Sequence, residues 1–331
     1  MAVKKLRVHI ENTRKKSGIS NVTPELWEAA CARHRALARQ LDVTLGWNGD
    51  ILDSALANAV AVIGVPAARD HLARRAPHLR WVHATSTGID SLLPLGWLPR
   101  GVAFTNNSGA HGVKAEQYMT MAYNLLNSHM AAILSNQQRR VWKELFSPSI
   151  SGKTAVVVGL GDLGEAAARA AKKIGLKVIG VRRSAQKSRY ADKVVSYKQL
   201  DRVLPQADFV ALAVPLTAET RGMINTKRLA LLKPTAGVIN IGRGPVVDLK
   251  ALAARLRSGK LGGAVLDVVE PEPLPAASPL WATPNLIITP HISCDDGEHY
   301  IDITLDLWFA NLARFFAGKT LHHRIDRKLG Y

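Results

Sequence analysis

Cysteine is nearly missing from this chain: Cys31 and Cys294 are the two thiols in 331 residues. Two thiols make no disulfide framework, and neither has metal-ligand spacing, so no metal site is expected and a reducing compartment fits. Long apolar runs are missing as well, and no stretch is long enough to span a membrane. The N-terminus, Met1-Ala2-Val3-Lys4-Lys5, leads straight into a strand-like run without the apolar core and cleavage site of a signal peptide, so the chain is expected to be cytoplasmic. Acidic residues are scarce, 26 against 44 Lys and Arg, for a formal net charge of +18. The basic residues come as scattered pairs, Lys4-Lys5, Lys15-Lys16, Arg139-Arg140 and Lys172-Lys173, without a basic arm or an aromatic-interleaved patch. That pattern argues against a nucleic-acid partner and for attraction of anionic small molecules. Solenoid repeats and low-complexity tracts are absent too.

What is present is alternation. Strand-like runs at Leu6 to Ile10, Val43 to Trp47, Val60 to Val65 and Leu79 to His83 are interleaved with helical segments, one of them opened by Thr23-Pro24, a hydroxyl N-cap before a proline. A long helix is expected over roughly Lys114 to Trp142. Further strands are expected at Thr154 to Val158, Lys177 to Val181, Phe209 to Val214, Gly237 to Ile241, Gly263 to Val268 and Leu286 to Ile288. The last segment, about Glu298 to Phe316, has helical apolar spacing at Ile301, Leu305, Trp308, Leu312, Phe315 and Phe316. It is expected to return to the first domain. The length suits two α/β domains with parallel sheets and a cleft between them: residues 1–105, then 106–288, then the return at 289–331.

The run Gly159-Leu160-Gly161-Asp162-Leu163-Gly164 stands between an expected strand and an alanine-rich helix. In that setting glycines permit a sharp turn and the close approach of backbone to a pyrophosphate, whose charge sits at the helix N-terminus. At the end of the next strand an NAD-binding unit carries an Asp or Glu for the ribose hydroxyls; here the residues are Arg182-Arg183-Ser184. Two guanidiniums and a hydroxyl suit a 2′-phosphate, which a carboxylate would repel. NADP(H) is therefore the expected cofactor, with NAD(H) possible. The alternative is that the arginines are an ordinary solvated charge run.

Three later segments place polar residues directly after expected strands: Asn240-Ile241-Gly242-Arg243-Gly244, Asp267 to Pro273, and Thr289-Pro290-His291. In an open parallel sheet these strand ends line one crevice. An Arg to orient and polarise an anionic 2-oxo acid, a His to supply a proton as hydride arrives, and a carboxylate to hold the His make a machine for carbonyl reduction. Glu270 and Glu272 could each reach His291, and the five-residue spacing from Asp267 favours Glu272. His291 could instead be a structural histidine, and Asp267 a helix cap.

These ordered segments resemble the D-isomer-specific 2-hydroxyacid dehydrogenases over nearly the whole chain. The likeness runs through Ser86-Thr87-Gly88-Ile89-Asp90, Ala115-Glu116, Gly152-Lys153-Thr154, the Gly159 turn, Pro215-Leu216-Thr217, Thr220-Arg221-Gly222, Lys233-Pro234, Arg243-Gly244, Val247-Asp248, Asp267-Val268, Glu272-Pro273 and Thr289-Pro290-His291. It implies two Rossmann-like domains, one flavodoxin-like and one dinucleotide-binding. It further implies that Arg243, Glu272 and His291 are catalytic, that Thr87 and Gly88 hold the substrate carboxylate by their backbone N–H groups, and that Thr87 also nears the nicotinamide. Gly159, Gly161, Asp162, Leu163, Gly164, Val214, Pro215, Ile241 and Gly242 would line the cofactor, with Asp267 at the nicotinamide carboxamide. A homodimer built largely on the long helix is implied as well.

The arginine pair departs from NAD-using members and resembles NADPH-preferring glyoxylate and hydroxypyruvate reductases. Cys294, Asp295 and Asp296 stand after His291 where many relatives carry small or hydroxyl residues, which bears on the substrate pocket. Cys31, on a helix face with Trp27, Ala30 and Leu37, reads as a buried structural thiol. Trp142, Trp281 and Trp308 read as packing or interface residues, while His83, His111, His322 and His323 are given no role. The competing reading is a dinucleotide-sensing binding protein of the C-terminal binding protein corepressor type, which shares this architecture.

Overall fold

A computed structural model describes residues 5–14 and 18–330. The leading residues 1–4 and the pair Lys15-Lys16 lie outside the described residues. The chain forms two compact units: residues 5–110 with 296–330, and residues 111–295.

The first unit is built on a five-stranded parallel sheet, β1 Leu6–Asn12, β2 Leu41–Trp47, β3 Ala61–Ile63, β4 Trp81–His83 and β5 Ala103–Thr105, in the order β2-β1-β3-β4-β5. β5 escapes a reading of the sequence because Ala103-Phe104-Thr105 is a short run of mixed polarity with no apolar pattern of its own. Alternation along the strands makes two cores. Val8, Ile10, Ala61, Ile63 and Trp81 face the helices Pro24–Arg33 and Tyr300–Phe316, whereas Val62, Val82 and Phe104 pack on Leu52, Leu56, Leu72 and Leu79. The C-terminal helix therefore completes the first unit, as the spacing of its apolar residues implies. Trp308, fully buried, stacks on Trp81 with ring centroids 5.3 Å apart. Thr23 caps the first of these helices through its hydroxyl, which accepts from Leu26 N.

The second unit holds a seven-stranded parallel sheet. Its strands are β6 Thr154–Val158, β7 Lys177–Val181, β8 Lys193–Val195, β9 Phe209–Leu212, β10 Gly237–Asn240, β11 Gly263–Leu266 and β12 Leu286–Ile288. Their order is β12-β11-β10-β9-β6-β7-β8. The chain runs outward one way from β6 and the other way from β9, so the switch point, where ligands bind in such sheets, falls between β6 and β9. Both faces are covered: Ala155, Val157, Ala211, Ile239 and Val265 pack on Met119, Ala122, Tyr123, Ala167 and Ala171, and Val156, Val158, Val210, Leu212 and Val238 on Leu229, Leu252 and Leu256. Near-continuous apolar strands are what burial on both faces requires.

The single long helix expected over 114–142 is two helices, Gly112–Asn127 and Met130–Gln138. Ser128 and His129 donate backwards to Asn124 O and Leu126 O, and His129 takes a left-handed φ of 56°. That conformation cannot propagate a right-handed helix. From Val141 to Ser149 the chain has no regular structure, and Trp142 and Phe146 on this stretch are 96% and 87% exposed.

Candidate active site

The polar segments singled out in the second unit sit on one edge of its sheet, because every strand is parallel and each segment follows a strand's carboxyl end. Along that edge come His291 after β12, Asp267 and Glu272 after β11, Arg243 after β10, Val214 and Pro215 after β9, the glycine turn after β6, and Arg182-Arg183 after β7. From β12 to β7 is five strand spacings, about 24 Å. An extended dinucleotide laid across this edge would pass each segment in turn.

The turn after β6 has the geometry that holds a phosphate. Gly159 takes φ of 90°, and a side chain there would meet Ala213 O at 2.6 Å and Val214 Cγ1 at 2.8 Å. A Cβ on Gly164 would stand 1.8 Å from Gly159 O, so helix and turn are in backbone contact. Gly161, by contrast, faces open space within 4 Å. The helix that starts at Asp162 thus points its N-terminal N–H groups at a region with room for an anion, and the residues present fit a pyrophosphate. Asp162 and Leu163 form its first turn, and Ile241 and Gly242 are buried beside it, with Gly242 close against Val214.

Arg182, Arg183 and Ser184 leave β7 in a tight turn, with Ala185 N donating to Arg182 O at 3.3 Å. Arg182 is half-buried, while Arg183 and Ser184 are exposed.

Arg243 sits in an extended conformation between Gly242 and Gly244. Asn240 braces it: its amide donates to Arg243 O at 3.0 Å and its side-chain oxygen accepts from Gly242 N at 3.0 Å. The guanidinium donates to Gly242 O at 2.7 Å.

His291 and Glu272 are brought together. His291 Nδ1 lies 2.7 Å from Glu272 Oε2, and Glu272 Oε1 accepts from Val269 N at 3.0 Å. A carboxylate can only accept, so Nδ1 carries the hydrogen and Nε2 is the atom left for a ligand. Of the two acids left open by the sequence, Glu272 takes this place. Glu270 instead lies 3.8 Å from Arg221 at the surface.

Asp267 is 2% exposed. Its carboxylate accepts from Thr289 Oγ1 at 2.6 Å, Ile292 N at 2.9 Å and Ser293 N at 3.1 Å. It caps the loop that carries His291, not a helix.

Thr87 and Gly88 belong to the first unit, just beyond β4. Asn106 Nδ2 donates to Thr87 O at 2.7 Å, Ser86 Oγ donates to Gly88 O at 3.1 Å, and the buried Thr87 hydroxyl has no hydrogen-bond partner among the described residues. An unsatisfied buried hydroxyl is a feature that ligands repair.

Burial pushes the Cys294 thiol up to about 12 and raises that of the half-buried Cys31, which favours the thiol over the nucleophilic thiolate at both. His111 Nδ1 lies 3.0 Å from Cys294 O, and His83 Nδ1 lies 2.9 Å from Thr105 Oγ1, which gives these two histidines structural places. Among the described residues no group of His, Cys, Asp and Glu could hold a metal ion, and no helix is long and apolar enough to cross a membrane. Reading the sequence missed Tyr118, whose hydroxyl lies 2.7 Å from Thr289 Oγ1, because its partner is 171 residues away.

A glycine turn at the switch point of a parallel sheet, with an arginine and a carboxylate-held histidine on the same edge, defines a nicotinamide-dependent oxidoreductase. The model of the D-isomer specific 2-hydroxyacid dehydrogenase NAD-binding domain matches residues 119–293, and the chain belongs to that family of NAD(P)-dependent enzymes acting on 2-hydroxy acids. It is 34% identical to a glyoxylate reductase of Korarchaeum cryptofilum over 232 residues, covering 67% of this chain and 69% of that one. Among solved structures it is similar to a D-isomer specific 2-hydroxyacid dehydrogenase from Xanthobacter autotrophicus Py2 in complex with NADPH and MES, at 28% identity and a TM-score of 0.84 over 98% of this chain and 100% of the other. It is also similar to an NADPH-dependent glyoxylate/hydroxypyruvate reductase from Sinorhizobium meliloti in complex with NADP and sulfate, at 28% identity and a TM-score of 0.80 over 98% and 99%. The corepressor-type alternative is not favoured by these likenesses.

Proposed function

We propose that this protein reduces a small 2-oxo acid of the glyoxylate or hydroxypyruvate kind with NADPH in preference to NADH. The observation that carries the reading is the order along one sheet edge: the held His291, then Arg243, then the glycine turn, then Arg182-Arg183. The NADP(H) complexes of two similar structures and the names of the glyoxylate reductases support it.

Arg243 binds the substrate as an anion and polarises its carbonyl, fixed by the flanking backbone and Asn240. Thr87 and Gly88 take the substrate carboxylate on their backbone N–H groups. His291, with Nδ1 tied to Glu272, presents a protonated Nε2 to the carbonyl oxygen and gives up that proton, and Glu272 stabilises the charged ring beforehand. Bound nicotinamide supplies the hydride. Asp267, with one acceptor position left on Oδ2, is suited to receive the nicotinamide carboxamide, and Arg182, Arg183 and Ser184 are suited to the 2′-phosphate. The protein works as a cytoplasmic homodimer in this reading, the extended stretch around Trp142 and Phe146 being the exposed apolar surface a partner subunit would cover.

Loss of absorbance at 340 nm, followed with glyoxylate, hydroxypyruvate and larger 2-oxo acids and each cofactor, tests the reading. NADPH turnover should exceed NADH turnover at equal concentration. His291→Ala should lower kcat by about 10²–10⁴, the span of a lost acid–base group, and Arg243→Ala should be similarly crippling. Turnover with NADH alone, or near-normal rates in either variant, would overturn it.

A further inference from the structure

We propose that Tyr118 is a positioning residue for the reaction: through Thr289 and Asp267 it fixes the loop that presents His291. The inference rests on the role just given to His291.

His291 has φ of 56°, a left-handed conformation that a β-carbon disfavours. A residue stays there when its surroundings over-determine it. Those surroundings are largely Asp267. Its main-chain oxygen accepts from His291 N at 2.9 Å, and its carboxylate accepts from the next two backbone N–H groups, those of Ile292 and Ser293. Three consecutive N–H groups are gathered by one residue, so the direction of the imidazole depends on where that carboxylate stands.

The remaining side-chain bond to Asp267 comes from Thr289, and it has a direction. The carboxylate accepts, so the Thr289 hydroxyl hydrogen is spent on Oδ1 at 2.6 Å. Thr289 Oγ1 can then only accept from Tyr118, whose hydroxyl must be the donor across 2.7 Å. The result is a one-way relay, Tyr118 to Thr289 to Asp267, in which each bond polarises the next. Tyr118 stands on the helix Gly112–Asn127 and is buried, and burial raises its phenol to about 12, so the donor hydrogen is kept throughout the working range. The relay anchors the His291 loop to a helix that packs directly on the sheet, and Tyr118 touches none of the reacting atoms itself.

The test compares the purified full chain with Tyr118→Phe, Thr289→Val and Thr289→Ser, using NADPH and glyoxylate. Tyr118→Phe keeps the ring and deletes the donor. It should lower kcat by about three- to tenfold, the worth of one net hydrogen bond, with KM for glyoxylate within about twofold. Thr289→Val, which breaks the relay in the middle, should lose more, and Thr289→Ser, which keeps the hydroxyl, should recover most of the rate. A thermal melt of each variant separates this kcat-against-KM split from simple loss of folded protein. A Tyr118→Phe enzyme with kcat within about twofold of wild type, or Thr289→Ser as impaired as Thr289→Val, overturns the proposal. Should the wild-type protein turn over no 2-oxo acid, the functional reading fails, and the relay is then judged by amide hydrogen exchange. Ile292 and Ser293 exchanging about tenfold faster in Tyr118→Phe would uphold it, and unchanged exchange would sink it.

Discussion

His83 shows how far burial alone can set the chemistry of a residue. It lies fully inside the first unit on β4, its Nδ1 beside the Thr105 hydroxyl. Burial, reinforced by the nearby His323, pushes its pKa down to about 3, against about 6.5 in an unfolded chain. The unfolded state therefore binds the proton more tightly. The contribution of this histidine to stability is complete above pH 6.5 and is lost as pH falls from there through about 3. Urea unfolding followed at several pH values between 7 and 4 should show wild type losing stability more steeply than His83→Gln, with a difference in slope approaching ~1.4 kcal/mol per pH unit. Parallel curves would mean that the ring is hydrated. This histidine carries no sequence signal of its own. The catalytic candidates do carry one, because Arg243, Glu272 and His291 are polar residues among glycines and prolines at the ends of apolar runs. Tyr118 and Thr289 carry none, since their pairing depends on where a helix and a strand end come together in three dimensions.

At the scale of elements, legibility followed length and punctuation. β6, β7 and β12 have the bounds the sequence suggests, being short apolar runs closed by glycine, arginine or proline. β5 and β8, no shorter than β12, were not legible, because Ala103-Phe104-Thr105 and Lys193-Val194-Val195 are mixed in polarity and lack the prolines that bracket β12. The break at Ser128-His129 was hidden for a different reason: a left-handed residue there would ordinarily be glycine or asparagine, and histidine gives no warning. The glycine turn is the element whose sequence says most. Gly164→Ala places a β-carbon on Gly159 O, so helix and turn must separate, at a cost of about 1–3 kcal/mol in overpacking. The variant should stay folded by circular dichroism yet lose NADPH binding, measured by the change in nicotinamide fluorescence. Binding at wild-type affinity would show that the turn tolerates the shift.

The whole molecule presents apolar surface that a monomer has little reason to keep. Val113, Trp142 and Phe146 of the second unit are 74%, 96% and 87% exposed. If these residues are covered by a second copy, sedimentation equilibrium at micromolar concentration should give twice the chain mass, and Trp142→Ser with Phe146→Ser should shift the equilibrium toward monomer by at least about tenfold, since each buried aromatic is worth ~1.5–3 kcal/mol. A monomeric wild-type protein would remove the homodimer from the reading. In the sequence the signals for domain organisation are the alternation of strands and helices and a last periodic segment without a domain of its own; in the structure the second unit runs to Asp295, keeping Thr289 and His291 with the sheet edge they follow.

The C-terminal helix has a consequence for how the chain is made. Val8, Ile10, Ala61 and Trp81 leave the ribosome before the second unit is made, but the face they form is closed by Leu305, Trp308 and Phe309, which follow it. Translation of the roughly 220 residues between Trp81 and Leu305 takes about 10–45 s at ~5–20 residues per second. Throughout that interval the first unit is an uncapped sheet, while the second, continuous in sequence, can fold as it appears. The later-made half of this protein is thus free to be finished first, and the nascent first half is the part a chaperone would have to shield.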